Sequence, residues 1–261
     1  MITSYKNPKI KDVRDLLGAK KHRDRTRQMV IEGVRLAEEA IRHQVSIQTC
    51  FFSENLSERG KKLLQTIRQR SASVEEISTG LMHRLSDTQH AQGILLVCSI
   101  PERQIPTDAD FLLVLDGIND PGNLGAIFRS AAALDVDGIL LTPGSTDPYS
   151  PKALRAGMGA QLHLPIDWRN VPAIKDWLAS LQAPFLLTTT TMDCEHASWH
   201  TDLTGPICLV IGNEAHGISN EMLSISDQCV RIPIAENTES FNVAIAAAIL
   251  MYEIRRQRIK K

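Results

Sequence analysis

Short apolar runs alternating with helix-patterned stretches constrain this chain more than anything else in it. From residue 111 onward six such runs follow one another, near 111–116, 138–142, 163–166, 185–190, 207–211 and 229–234. Helical patterns stand between them near 123–134, 151–158, 170–181 and 218–224, and a long one closes the chain at about 241–258. A run such as Phe111-Leu112-Leu113-Val114-Leu115 has no polar alternation, so both faces of the strand must be buried. Strands of this kind alternating with helices predict an α/β fold, with a mostly parallel sheet and helices on both faces.

The first part of the chain repeats the alternation on a smaller scale. Pro8 suits a first-turn position, and Ile10, Val13, Leu16 and Leu17 form the apolar stripe of a helix over 8–17 that Gly18 can end. A strand at 28–32, a helix at 33–44, a strand at 47–52, a helix at about 57–70 and a buried strand at 93–98 follow. These make a smaller α/β domain over residues 1–98. Residues 99–110 (SIPERQIPTDAD) are polar, carry two prolines and lack periodicity, so they read as a linker. The second domain then runs from 111 to 261.

Charge separates the two parts. The net charge is −1, yet residues 1–70 hold 16 Lys and Arg against 8 Asp and Glu, while the remainder holds 13 against 22. A basic part on a near-neutral protein points to a polyanion partner for that part, the plain alternative being a solvated basic face. Its densest run, Lys20-Lys21-His22-Arg23-Asp24-Arg25-Thr26-Arg27, reads as a loop or helix end presented to solvent.

With 43% hydrophobic residues the chain can bury a sizeable core. Met1 to Asp12 has no apolar leader segment, and no apolar run reaches the roughly 18 residues of a membrane helix. A cytoplasmic protein without membrane association is therefore expected. The five cysteines (50, 98, 194, 208 and 229) are scattered and include no CxxC pair. Cys98, Cys208 and Cys229 lie in apolar runs, where a reduced thiol behaves as a small hydrophobe. That usage predicts neither a disulfide framework nor a metal site.

The chemistry gathers where strands end. Phe111 to Leu115 empties into Asp116-Gly117 and Asn119-Asp120-Pro121-Gly122, after which Asn123 is placed to open a helix. Gly125 and Arg129 stand four apart in it and so share a face; glycine costs about 1 kcal/mol of helix propensity there, which suggests a close approach. A second strand end carries Gly212-Asn213-Glu214-Ala215-His216-Gly217, and a third carries Ile232-Pro233-Ile234 and then Ser240-Phe241-Asn242-Val243. In parallel sheets ligands collect outside the carboxyl ends of strands, so the three turns can meet at one crevice.

Together these segments resemble the SpoU/TrmH family of RNA ribose 2′-O-methyltransferases, within the SPOUT superfamily. Asn123, Gly125, Arg129 and Ser130 match its first motif; Gly212, Glu214 and Gly217 the second; Ile232, Pro233, Ser240, Asn242 and Val243 the third, all in the family's order. Residues 31–40 and 92–99 look like the family's N-terminal substrate-binding domain. Phe241 stands where leucine is usual and keeps an apolar wall; Ala91 stands where proline is common.

The resemblance implies S-adenosylmethionine as methyl donor, ribosomal or transfer RNA as substrate, a homodimer through the C-terminal domain and a deep trefoil knot. Periodicity alone argues against a knot. As catalytic residues it implies Asn123, Arg129, Ser240 and Asn242, with Ser240 on RNA phosphate. Gly212, Glu214, Ile232 and Phe241 are implied to hold the donor, and no metal takes part. An arginine stays protonated in almost any protein setting, so Arg129 is better suited to clamp phosphate and stabilise a developing alkoxide than to take a proton.

Rival chemistries lack their residues. Gly157-Met158-Gly159-Ala160-Gln161-Leu162 misses the third glycine of a dinucleotide fingerprint, Asn213-Glu214-Ala215-His216 is not HExxH, and no GxSxG occurs. An RNA-binding protein that kept the fold without catalysis is the remaining alternative, and the intact Asn123, Arg129, Glu214, Ser240 and Asn242 speak against it.

Overall fold

Most helix starts in this chain are set by side-chain caps. The first helix, α1 (Pro8–Gly18), begins with the Asn7 carboxamide accepting from the Lys9 N–H and with Pro8 in the first turn. Such caps contribute about 1 kcal/mol each. The computed structural model describes residues 1–70, 72–86, 91–236 and 240–259. After α1 come α2 (Lys20–Thr26), β1 (Gln28–Glu32), α3 (Val34–Arg42), β2 (Ile47–Phe52), α4 (Glu58–Gln69), β3 (Ser73–Glu76), α5 (Thr79–Leu85) and β4 (Ile94–Ser99).

The four strands form one sheet in the order β1-β4-β2-β3, antiparallel except for the parallel pair β2-β3. Period-two alternation fills two cores, one on each side. Met29, Ile31, Leu96 and Cys98 pack with the apolar faces of α3 and α4, whereas Val30, Phe51, Leu95 and Val97 pack with α1 and α5. The basic run expected as a loop or helix end is the helix α2. One of its arginines is no surface residue: Arg23 is buried, and its guanidinium donates to the carbonyls of Leu16 and Leu17 at the end of α1.

The second part continues with β5 (Phe111–Asp116), α6 (Pro121–Ala133), β6 (Gly138–Leu141), α7 (Pro151–Ala156), β7 (Ile166–Trp168), α8 (Val171–Ala179) and β8 (Leu186–Thr190). It ends with β9 (Ile207–Gly212), α9 (Asn220–Ile225), β10 (Gln228–Val230) and α10 (Val243–Ile259). Its six strands form one sheet, every neighbouring pair parallel, in the order β10-β8-β9-β5-β6-β7. Every residue of β5 and β9, at the centre, is buried, as a sheet covered on both faces requires.

Three expectations need correction. The helix after β5 begins at Pro121, and its cap is Asp120, whose carboxylate accepts from the Asn123 N–H at 2.9 Å. This leaves the Asn123 side chain available for other work.

Next, the chain divides into two compact units, residues Met1–Pro101 with Tyr149–His163, and Glu102–Pro148 with Leu164–Lys261. In place of an uninterrupted domain from 111 to 261, the stretch around α7 joins the first unit. Leu154 and Leu162 enter its core, and Gly159, at φ +82°, lies so near α3 that a Cβ would stand 3.3 Å from side-chain atoms of Leu36 and Glu39.

Finally, the cysteines are not all free: Cys194 and Cys229 form a disulfide. Parallel pairing of β10 with β8 sets Cys229 opposite Thr189, so the segment leaving β8 passes close to it. Sequence spacing carries no trace of that register.

Candidate active site

The carboxyl ends of β8, β9 and β10 open into a cavity of about 490 Å³, within the range of small-molecule sites. Its lining draws on four segments of the second unit: Thr190 to Met192, Ile211 to Glu214 with Gly217, Val230 to Ile232 with Ile234, and Ser240 to Val243 leading into α10, with Asn123 of α6 beside them. Of the residues expected at the site, Asn123, Gly212, Glu214, Ile232, Ser240, Phe241 and Asn242 all line it.

Hydrogen bonds tie the three motifs together. The Asn242 amide donates to Asn123 Oδ1 at 3.0 Å, and the Asn123 amide donates to Glu214 Oε1 at 2.9 Å. Asn242 Oδ1 accepts from the Ala244 N–H at 2.9 Å, so one side chain both caps α10 and orients the relay. Asn123 is thus engaged on both sides, as donor to one motif and acceptor from another. The polar loop before Ser240 falls at 237–239 outside the described residues.

The turn after β9 is folded tightly on itself. Asn213 and Gly217 exchange backbone bonds of 2.8 and 2.9 Å, while Asn213 Oδ1 accepts from the Ala215 and His216 N–H groups. The Asn213 amide reaches across the sheet end and donates to the Gly117 carbonyl at 2.6 Å. A Cβ on Gly212 would lie 2.4 Å from the Gly217 carbonyl carbon. Gly212 is therefore required by its own turn, before any ligand is considered. Below the turn, the buried Asp116 accepts from Thr142 Oγ1 and from the Ser219 N–H, both at 2.8 Å, joining the ends of β5 and β6 to the start of α9.

Arg129 stands apart. It is exposed and does not line the cavity, and its guanidinium makes no hydrogen bond or ion pair among the described residues. Gly125, expected on its face, is buried with Leu124, Ile127, Phe128 and Ala131. His216 is exposed, bonded through its backbone, and outside the cavity lining.

Sequence reasoning misses Thr190, Thr191 and Met192. The polar end of the run 185–190 is a fourth strand terminus of the kind recognised three times above, and that is the available signal. Among the described residues no group of three His, Cys, Asp or Glu could hold a metal ion, and no helix is long and apolar enough to cross a membrane.

Comparison with known proteins agrees with this geometry. Residues 110–252 match the SpoU rRNA methylase family, and residues 7–96 match the MRM3-like substrate-binding domain. The chain is 30% identical over 254 residues to the 23S rRNA 2′-O-methyltransferase RlmP of Bacillus subtilis, covering 97% of this chain and 98% of that protein. It is 32% identical over 269 residues to a 23S rRNA (uridine 2′-O)-methyltransferase of Streptomyces viridochromogenes, covering 99% and 92%. The solved SpoU methyltransferase AviRb of that organism, in complex with AdoMet, superposes with a TM-score of 0.88 at 29% identity, over 98% of this chain and 100% of that one. The chain belongs to the SpoU rRNA methylase family and is an S-adenosylmethionine-dependent RNA ribose 2′-O-methyltransferase.

Proposed function

We propose that the RNA is ribosomal, and that the chain methylates a ribose 2′-hydroxyl in the large-subunit RNA. Two full-length relatives named for 23S rRNA support that choice over transfer RNA. The observation that carries the catalytic reading is the unbroken Asn242–Asn123–Glu214 relay at the cavity rim, which a fold kept only for binding would have no need to maintain.

The cavity fits the donor. Apolar walls from Ile211, Val230, Ile232 and Phe241 suit an adenine, and backbone groups at the ends of β9 and β10 suit its polar edge. Bound there, S-adenosylmethionine supplies an electrophilic methyl group on a sulfonium. Asn123, Glu214 and Asn242 shape the rim by holding one another, so the reacting groups meet a pre-set geometry. Ser240, exposed at the rim, offers its hydroxyl to an RNA phosphate. Arg129, without a partner among the described residues, meets phosphate and the alkoxide charge that develops on the 2′-oxygen.

The assembly is a homodimer through the second unit. On α10, Ile245, Tyr252 and Ile259 are 52%, 61% and 68% exposed at seven-residue spacing, an apolar stripe on one helix face. The trefoil knot belongs to the same reading, supported by a cavity bounded by loops from strands adjacent in the order β10-β8-β9. The cytoplasm is the compartment that suits work on ribosomal RNA. The first unit recruits RNA through exposed cations of α2.

Mapping 2′-O-methylation across total RNA from cells with and without the gene tests the assignment. Loss of one methylation in the large ribosomal RNA is the expected result. A loss confined to transfer RNA, or no loss, would overturn it.

A further inference from the structure

We infer that Cys194 and Cys229 are a reversible dithiol–disulfide site beside the cavity, joining two of the segments that line it, through which the surrounding thiol balance sets donor affinity. The inference rests on that cavity holding S-adenosylmethionine, as proposed above.

Position is the first argument. Thr190, Thr191 and Met192 line the cavity, and Cys194 follows two residues later. Cys229 stands directly before Val230, Arg231 and Ile232, which line the cavity from the neighbouring strand. Backbone bonds join the two segments at either end of the stretch between them. The Thr191 N–H donates to the Val230 carbonyl at 3.2 Å, the Arg231 N–H to the His196 carbonyl at 2.9 Å, and the Ser198 N–H to the Arg231 carbonyl at 2.9 Å. Between these bonds Met192, Asp193 and Glu195 are exposed, and the sulfur–sulfur bond is what fixes the stretch to β10. Breaking it frees the lip that carries Met192 while leaving the ends in place.

Compartment is the second argument. Where glutathione and thioredoxin-type thiols keep cysteines reduced, a disulfide is usually transient, catalytic or redox-sensing. A protein acting on ribosomal RNA works in such a compartment, so a merely structural bridge is the wrong expectation for it.

The remaining cysteines do not compete. Cys50, Cys98 and Cys208 are buried free thiols, and burial pushes Cys50 up to about 12 and the other two further. They hold almost no thiolate and so are poor partners in exchange. Cys194 is also buried, whereas Cys229 is partly exposed and offers the approach for an attacking thiolate.

The chemistry balances as ordinary exchange. A thiolate of a cellular dithiol attacks the Cys229 sulfur, the sulfur–sulfur bond breaks, and the Cys194 thiolate leaves and takes a proton from water. The second thiol of the reductant, as thiolate, then displaces Cys229, which is protonated in turn. Two electrons pass to the protein, and the reductant becomes a disulfide.

Calorimetric titration of the full chain with S-adenosylmethionine, before and after reduction by dithiothreitol, tests the site, with the redox state verified by alkylation and mass spectrometry. Reduction should weaken donor binding by about threefold or more, because a fixed wall is pre-organised and a loosened one must be ordered on binding. Cys194→Ser and Cys229→Ser should each bind like the reduced protein and show no response to dithiothreitol. Equal affinity in both verified states of the wild type would overturn the inference, as would a response that persists in either variant. Tight donor binding with no redox dependence defeats this inference alone, whereas no donor binding in either state defeats the reading of the cavity and this inference with it.

Discussion

The cavity of the second unit and the basic surface of the first use their residues in opposite ways. Around the cavity, function depends on placement: Asn123 serves two partners at once, and Gly212 has no room for a Cβ. On α2, Lys20, Lys21 and Arg25 are exposed, and what they offer a polyanion is summed charge. A site built on placement fails at a single residue, whereas a charged surface fails by degrees. Arg23 belongs with the first kind although it sits in the basic run, since it is buried and holds the end of α1.

The contrast is most sharply tested at Gly212. Gly212→Val would drive a side chain into the Gly217 backbone, and should destabilise the unit by about 3–5 kcal/mol, near the upper end for one substitution. Thermal unfolding should show the loss, and calorimetry should find donor binding abolished. Donor binding at wild-type strength would mean that the turn can reopen at little cost.

Arg129→Ala comes next. Turnover should fall by about 10²–10³, the scale for removing one donor that stabilises developing negative charge, while donor affinity holds. Arg129→Lys should recover little, lacking the planar fork. Near-normal single-turnover rates in the alanine variant would remove Arg129 from the reaction.

Asn123→Asp sharpens the comparison further. It keeps an acceptor for Asn242 but sets a second carboxylate against Glu214, and kcat/KM should drop about tenfold, for a lost bond to a charged group. A drop of the same size in Glu214→Leu, which removes the acceptor and leaves the Asn242–Asn123 bond in place, would identify that one bond as the cause. Unequal drops would locate the effect elsewhere.

The smallest effects belong to α2. Lys20→Ala, Lys21→Ala or Arg25→Ala alone should change RNA affinity only slightly. The triple variant should flatten the salt dependence by about 0.7 log units per log of salt for each phosphate it no longer neutralises. Donor affinity should not move, since the cavity is built from the other unit. Parallel salt titrations for wild type and triple variant would mean that these cations are simply solvated.

Much of this is legible in the sequence because the signals are local. Runs such as 111–115 and 207–211 announce buried central strands, and three strand-end motifs in order announce the site. Edge strands are less visible: β7 and β10 have three residues each, too few for an apolar pattern to stand out. The longer-range facts depend on register and burial. The Cys194–Cys229 bond follows from β10 lying beside β8, and the buried Arg23 follows from how α2 turns back on α1. Asn123 shows the intermediate case. Sequence puts it at the right helix start, but Asp120 provides the cap, and only the fold reveals that its amide is spent on Glu214 and Asn242.

The segment Tyr149–His163 has a consequence in time. The ribosome delivers residues 1–101 first, but Leu154 and Leu162, fully buried in that unit's core, emerge only after 47 residues of the other unit (102–148) have been made. The first unit thus waits, with its α3 side incomplete, on a stretch synthesised about a third of the way through its neighbour. Neither half can be made to completion alone: a chain stopped at 101 lacks two of its own core leucines, and one begun at 102 carries them with nothing of their own to meet. Birth order and final order differ in this molecule, and its earliest-made part is finished late.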